Sequence, residues 1–256
     1  MSTAVPITKS TSQSPQSSSN HNNKHVVNNK ILRKLPRKEY NIVFPRLVWV
    51  ELPIHTVLNQ EAKSIENGYF INDGLASILT VMAGGKSVEV GLTGVEGFVG
   101  LPLVAGFKSS STRVIIQIDG SAFKIAAKDL VRLLRECPVL ERSLQQCSQS
   151  MALQSTQVAA CNRLHDVNQR LARWLLMSQD RVGGDVVGLT QEFLAHMLGT
   201  RRASVTVAAG VLQKAGLIAY TRGEVTIRDR AGLESATCEC YDSINRQSKL
   251  WQNESA

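Results

Sequence analysis

The segment from Leu189 to Ile227 constrains this chain most, because it combines a helical pattern, a tight turn and clustered basic residues. Thr190 precedes apolar residues at helical spacing and is the expected N-cap of a first helix. Gly199 follows the last of these apolar residues, in the position where glycine turns the chain at least cost. A second helix is expected from about Arg201 or Arg202 to Lys214. This order predicts a helix-turn-helix.

A hairpin is expected directly after the second helix. The alternating run from Ala219 to Ile227 is interrupted at Arg222 and Gly223, which is typical of a two-residue turn. A hairpin in this place, with a basic tip, is a wing. Residues 199–230 hold six basic residues and two acids, a net charge of +4 that favours a polyanion. The pattern therefore predicts a winged helix-turn-helix that binds double-stranded DNA.

The candidate contacts with DNA lie at the start of the second helix and at the tip of the wing. Arginine can bind guanine O6 and N7 with two hydrogen bonds, and the hydroxyls of serine and threonine reach phosphates or base edges. The DNA-binding residues predicted from this chemistry are Arg201, Arg202, Ser204, Thr206 and Arg222. The alternative is a small helical core domain whose arginines are only solvated.

The positive charge of the chain is unevenly distributed. Residues 1–40 contribute +6 of the net +8, whereas residues 40–136 hold nine bases and nine acids. A neutral middle region favours a sensing or scaffolding domain. Residues 1–38, polar and basic, are expected to form a disordered tail. The sequence shows neither a long apolar run nor an apolar leader, so we expect a cytoplasmic protein without a membrane partner.

Short apolar runs separated by glycine turns fill residues 40–136 and predict an antiparallel β-sandwich or jelly roll, ending in a helix over residues 127–136. Over residues 137–166 the apolar positions step by four and three in alternation, interrupted by Gln154. This heptad seam predicts a long helix that pairs two copies of the chain, and the alternative is an amphipathic helix packed on its own β-domain. Residues 167–245 are expected to form the winged domain. The fold class is therefore α+β.

The cysteines do not suggest a metal centre. They number five and no pair has the spacing of a zinc-binding CxxC motif, so buried or partly buried free thiols are expected rather than disulfides or a zinc site. Cys238 and Cys240 flank Glu239, and a redox role for this close pair is the alternative. His165 is expected to be a structural, hydrogen-bonded residue. We expect no metal and no cofactor.

The glycine-rich β-domain, heptad helix and winged helix, in this order, resemble the Crp/Fnr superfamily of bacterial transcription regulators. The run LTQEFLAHMLGTRRASVTVAAGVLQKAGLI, followed by YTRGEVTI and DRAGLE, is similar to the family's helix-turn-helix and wing. The resemblance implies that Thr190 both caps the motif and contacts a DNA phosphate, which adds it to the predicted DNA-binding residues. The resemblance implies a cyclic-nucleotide-binding-like jelly roll and a homodimer that regulates transcription. RNA polymerase is a possible further partner that the resemblance suggests. Ala203 and Val207 depart from the family's recognition helix, so a different DNA sequence is expected.

The ligand site departs further from the family pattern. Leu101 and Pro102 stand where cyclic-nucleotide binders have a glutamate for the ribose, and Ser110 stands where they have an arginine for the phosphate. Cyclic AMP is therefore not expected to bind, and the resemblance does not identify another effector.

Two other functional classes stay open. A cupin-like metal-dependent enzyme needs two or three histidines and a carboxylate, but His55 is the only histidine of residues 40–136, so no enzyme activity is expected. The other class is an interaction scaffold with residual DNA binding.

Overall fold

The computed structural model describes residues 25–188, 190–221 and 223–254, the last seven of these by their backbone alone. In this part of the chain, none of the helices has the length and apolar character needed to cross a membrane.

Two short helices, α1 (Lys30–Lys34) and α2 (Arg37–Val43), precede the β-domain, so the predicted disordered tail is wrong for residues 29–38. Ile31, Leu32 and Leu35 are buried in the core of the β-domain, and these three apolar side chains hold a segment that is otherwise basic. Asn29 caps α1 and also donates hydrogen bonds to two carbonyl oxygens of the β-domain, at 2.8 and 2.9 Å. Residues 1–24 of the predicted tail lie outside the described residues.

The β-domain is a single antiparallel sheet built on two long strands. Its strands are β1 (Val48–Leu52), β2 (Val57–Asn59), β3 (Asn67–Val81), β4 (Ser87–Thr93), β5 (Phe98–Val99) and β6 (Thr112–Ala126). The order is β1-β6-β3-β4, while β2 pairs with β6 and β5 with β3. The register between β3 and β6 shifts three times around Gly74, whose φ of 80° suits glycine. These irregularities divide both long strands into two halves.

Three hydrophobic clusters show how the sheet is covered. One cluster joins side chains from both halves of the long strands, among them Ile71, Ala76, Ile116 and Ala122. A second packs one half against α1, α2, α3 (Ala127–Glu136) and α4 (Pro138–Leu164). The third joins Leu75, Leu79 and Leu92 of the other half to the C-terminal domain. Helices therefore cover both halves of the β-domain.

The heptad seam of α4 faces its own chain. Leu140, Leu144, Val158 and Cys161 are buried, and Gln154 bonds to both the backbone N–H and the carbonyl of Leu92, at 2.6 and 3.1 Å. The prediction that this seam pairs two chains is wrong, because these positions are buried within the chain: Leu140 and Leu144 pack with the β-domain, and Cys161 packs with Cys238 and Cys240. The alternative that the sequence left open, an amphipathic helix on its own domain, is the observed one.

The C-terminal domain starts with α5 (Val167–Val182), which is capped by Asp166 and buried from Arg170 to Gln179. A three-stranded sheet of order β7-β9-β8 follows, formed by β7 (Val186–Gly188), β8 (Ile218–Thr221) and β9 (Glu224–Ile227). Between β7 and β8 lie α6 (Gln191–Met197) and α7 (Arg202–Lys214). Helices α8 (Arg230–Ala236) and α9 (Cys240–Glu254) complete the domain. The arrangement is a winged helix-turn-helix.

Candidate nucleic-acid interface

Helix α7 has a fully buried face and a fully open one. Its apolar residues Val205, Ala208, Ala209 and Leu212 are at most 3% exposed and pack in the core that the domain shares with β3 and β4. On the opposite side Arg201, Arg202, Ala203, Thr206 and Val207 are exposed. A basic helix end that projects from a rigidly packed helix is suited to entering a groove of DNA.

The turn between α6 and α7 depends on Gly199. Its φ is 56°, and a Cβ at this position would lie 2.9 Å from the Val88 side chain of β4. The adjacent Thr200 N–H donates to the Ala195 carbonyl at 2.9 Å, which closes the end of α6. The glycine turn expected from the sequence is present, and the neighbouring β-domain adds a second reason for glycine.

Two of the predicted hydroxyl residues have structural partners. Thr190 caps α6, where its Oγ1 accepts from the Phe193 N–H at 3.2 Å. The Thr206 hydroxyl lies 2.7 Å from Oε1 of Gln191, to which it donates, and so joins α7 to the start of α6. Ser204 is only partly exposed. Both threonines remain at the surface, but their hydroxyls already orient the two helices of the motif.

Several residues of this surface were not selected from the sequence. Val207 is 67% exposed and Val211 47% exposed, on the open side of α7, where apolar side chains can contact thymine methyl groups. Gln191, Gln213 and Tyr220 line a shallow concavity beside Thr206, and Gln213 accepts from the Tyr220 N–H at 3.1 Å. Burial raises the pKa of Tyr220, so its phenol stays protonated. The helical spacing of Val211 predicts a core residue, and its exposure shows that this prediction is wrong.

The basic residues of this region do not all face outward. Arg230 bonds to Asp180 at 2.7 Å and to Glu234 at 3.0 Å, and it also donates to Gln179 and Tyr241. Its charge is therefore balanced within the domain and does not add to the field at α7. Arg222 and Leu189 lie outside the described residues.

On the other side of the winged domain, a buried carboxylate joins it to the β-domain. Glu89 of β4 accepts from the Ser77 hydroxyl at 2.5 Å and from Nε1 of Trp174, on α5, at 2.9 Å. Burial raises the pKa of Glu89 to about 7, although these hydrogen bonds and the nearby Arg173 act to lower it. The contact between the domains thus contains a titratable group.

The residues that the sequence analysis compared with a cyclic-nucleotide site lie in two segments of the β-domain. Leu101 and Pro102 lie in a short 3₁₀ helix (Leu101–Ala105) that follows Gly100. Arg113 forms a two-pronged ion pair with Glu61, at 2.6 and 2.9 Å. Ser110 bonds to Thr112.

A further group of side chains was missed by the sequence analysis. Cys161, His165, Cys238 and Cys240 come together at the junction of α4, α8 and α9. The signal was present as a Cys-x₃-His pair at the end of a helix and a Cys-x-Cys pair, but 72 residues separate the two pairs.

The comparisons with known proteins agree with this geometry. Residues 169–236 match the family model of the Crp-like helix-turn-helix domain. No curated protein matches the sequence. Among solved structures, FixK2 from Bradyrhizobium japonicum is similar at 16% identity and a TM-score of 0.64, over 75% of this chain and 98% of that one.

Two further structures give the same result. The c-di-GMP responsive global regulator CLP from Xanthomonas campestris aligns at 17% identity, with a TM-score of 0.62, over 75% of this chain and 99% of its own. TTHB099, a CRP family transcriptional regulator from Thermus thermophilus, aligns at 16% identity, with a TM-score of 0.61, over 73% and 95%. At these identities the likeness concerns the fold.

Proposed function

We propose that this Crp/Fnr-type transcription regulator binds double-stranded DNA in a sequence-specific manner through helix α7, and that it does so as a homodimer. One observation carries the proposal. Arg201, Arg202 and Thr206 are exposed together at the N-terminal end of a helix whose opposite face is fully buried. A helix fixed in this way can present its side chains to base edges in the major groove.

Each proposed contact has a chemical role. Arg202 is assigned to a base edge, where its guanidinium can bind guanine with two hydrogen bonds, and Arg201 to a phosphate. Val207 is assigned to an apolar contact with a base. The hydroxyls of Thr190 and Ser204 are assigned to the phosphate backbone of the DNA. Arg222 stays a proposal from its place between β8 and β9 in the sequence.

Dimerisation is proposed through the side of α4 that the β-domain leaves open. Small and polar side chains follow one another there at alternating steps of four and three, namely Gln145, Gln149, Ala152, Thr156 and Ala159. Small residues allow two helices to approach closely. A two-fold pair would present two copies of α7 about one helical turn of DNA apart, roughly 34 Å, which requires a near-palindromic site.

We also propose that DNA binding does not depend on cyclic AMP. A buried phosphate needs charge-assisted partners, but Ser110 replaces the expected arginine and Glu61 already engages Arg113. Titration calorimetry with cyclic AMP should give no binding heat; micromolar affinity would contradict this. RNA polymerase is a further proposed partner, the cytoplasm the proposed location, and no catalytic role is proposed.

The experiment that tests the function is selection of bound fragments from random DNA at about physiological salt, without added ligand. We expect a two-fold symmetric motif. Binding that weakens with salt but selects no motif would contradict sequence-specific recognition, because phosphate contacts alone carry no sequence information.

A further inference from the structure

Four metal-binding side chains from two distant segments meet at the base of the winged domain. Cys161 lies in the last turn of α4 and His165 caps that helix, while Cys238 and Cys240 lie between α8 and the start of α9. Their ligand atoms all lie within 4.8 Å of one another. Sγ of Cys161 is 3.5 Å from Sγ of Cys238, and Sγ of Cys240 is 3.5 Å from Nδ1 of His165.

We propose that this cluster, Cys161, His165, Cys238 and Cys240, binds one zinc ion in tetrahedral geometry. Three thiolates and one imidazole are a common ligand set of structural zinc sites. With Zn–S bonds of about 2.3 Å, neighbouring sulfur atoms of a tetrahedron lie about 3.8 Å apart. The observed separations differ from this by about 1 Å or less, so small side-chain movements complete the site. Hard cations such as magnesium or calcium are disfavoured because the cluster offers them no oxygen ligand.

The surroundings of the cluster support metal binding. His165 turns Nδ1 toward the thiols, and its Nε2 lies 3.2 Å from a carboxylate oxygen of Glu239. A carboxylate on the second ring nitrogen is the usual arrangement for a metal-bound histidine, because it fixes the ring and makes the other nitrogen a better ligand. Nε2 of Gln157 donates to Sγ of Cys240 at 3.1 Å, as expected beside a thiolate.

Two buried positive charges act on the cluster. Arg170 and Arg173, both buried, interact electrostatically with Cys161. Three thiolates and a divalent ion carry a net charge of −1, and these guanidinium groups offset it. The Nε atoms of both arginines also lack a protein acceptor.

A metal at this position would connect the end of the long helix to the C-terminal helix. Cys161 and His165 belong to the junction between α4 and α5, while Cys238 and Cys240 begin α9, which packs against α4. The ion would then fix the angle at which the winged domain leaves α4. This is a structural site, because all four of its ligands are protein side chains.

The first test is the metal content of the full-length protein purified under reducing conditions. We expect about one zinc per chain by mass spectrometry. Cys240→Ser should reduce the content at least about tenfold. The matched control is Cys147→Ser, which removes a thiol outside the cluster and should leave the zinc content unchanged. Equal zinc content in the two variants would overturn the proposal.

A second measurement uses only the wild-type protein, so it does not require that a cysteine variant folds. Metal-stripped, reduced wild-type protein is titrated with Co²⁺, for which we expect the visible absorption of tetrahedral cobalt–thiolate coordination, saturating at about one ion per chain. Zinc should then displace the cobalt and raise the melting temperature, because a ligand that binds only the folded state stabilises it. The absence of these bands would overturn the proposal. So would purified protein in which Cys161 and Cys238 form a disulfide and no metal is retained.

Discussion

The winged domain has two surfaces that use charged residues in opposite ways. The outer surface, around Arg201 and Arg202, leaves its charges in water. The inner surface, where Trp174 meets Glu89, removes a carboxylate from water and compensates it with hydrogen bonds. A hydrated charge costs folding little and is available to a polyanion, whereas a buried one is expensive unless it is paired in one geometry. The outer surface should therefore determine DNA affinity, and the inner surface should determine stability and the docking of the two domains.

The largest expected effect is on the inner surface. Trp174 is 1% exposed, and Trp174→Ala should lower the free energy of unfolding by about 3–5 kcal/mol, because it leaves a cavity and deprives Glu89 of a donor. Trp174→Phe, which keeps much of the packing, should cost clearly less. Urea unfolding monitored by circular dichroism measures both. A loss below about 1 kcal/mol for the alanine variant would mean that the docked arrangement contributes little to stability.

The second prediction concerns the pH dependence of that contact. The pKa of Glu89 is about 7 in the folded chain and 4.5 ordinarily, so between these values only the folded state retains the proton. The free energy of unfolding should therefore fall as pH rises from about 4.5 to 7, by on the order of 3 kcal/mol, and Glu89 should add no further change above that range. Glu89→Gln should remove this component from urea unfolding curves measured across the range. If wild type and variant show the same slope, Glu89 is not the titrating group.

On the outer surface, a substitution should lower DNA affinity and leave the free energy of unfolding nearly unchanged. Arg202→Ala should weaken binding to the selected DNA motif by about 1–3 kcal/mol, roughly 5- to 150-fold, and change the free energy of unfolding by less than about 0.5 kcal/mol. The control is Arg135→Ala, which removes an exposed arginine from the last turn of α3, on the β-domain. Binding isotherms of both variants on the selected motif and on scrambled DNA separate a loss of specific recognition from a general loss of affinity. Unchanged specific affinity for Arg202→Ala would exclude it as the residue that reads the base.

The sequence predicted the outer surface better than the inner one, and the reason is physical. The helices, the glycine turn and the Thr190 cap depend on residues close together in the chain, so their signals are local. The Glu89–Trp174 contact joins residues 85 positions apart, and the cluster of Cys161, His165, Cys238 and Cys240 joins two segments with 72 residues between them. Composition and periodicity carry no information about such pairs.

The errors on α1 and α4 have a related cause. The basic composition around Ile31, Leu32 and Leu35 predicted disorder. It did not show that these three apolar side chains are spaced so that they can pack in the core of the β-domain. On α4 the heptad spacing identified the buried side of a helix correctly but not its partner. A helix that packs on its own β-domain and one that pairs with a second chain require the same alternation of apolar residues.

Substitution of Thr190 should have the smallest effect of those considered. It also tests most sharply whether the outer surface determines only DNA affinity, because Thr190 lies on that surface and yet has a structural partner. Its hydroxyl caps α6, a helix of only seven residues, by accepting from the Phe193 N–H. Thr190→Ala should therefore lower the free energy of unfolding by about 1 kcal/mol, and Thr190→Ser, which retains the hydroxyl, should recover most of this loss. DNA affinity should follow the same order, since the capped end of α6 positions a proposed phosphate contact. If the alanine variant loses affinity at unchanged stability, Thr190 acts only as a DNA contact. If it loses stability alone, the phosphate assignment is wrong and the outer surface begins at α7.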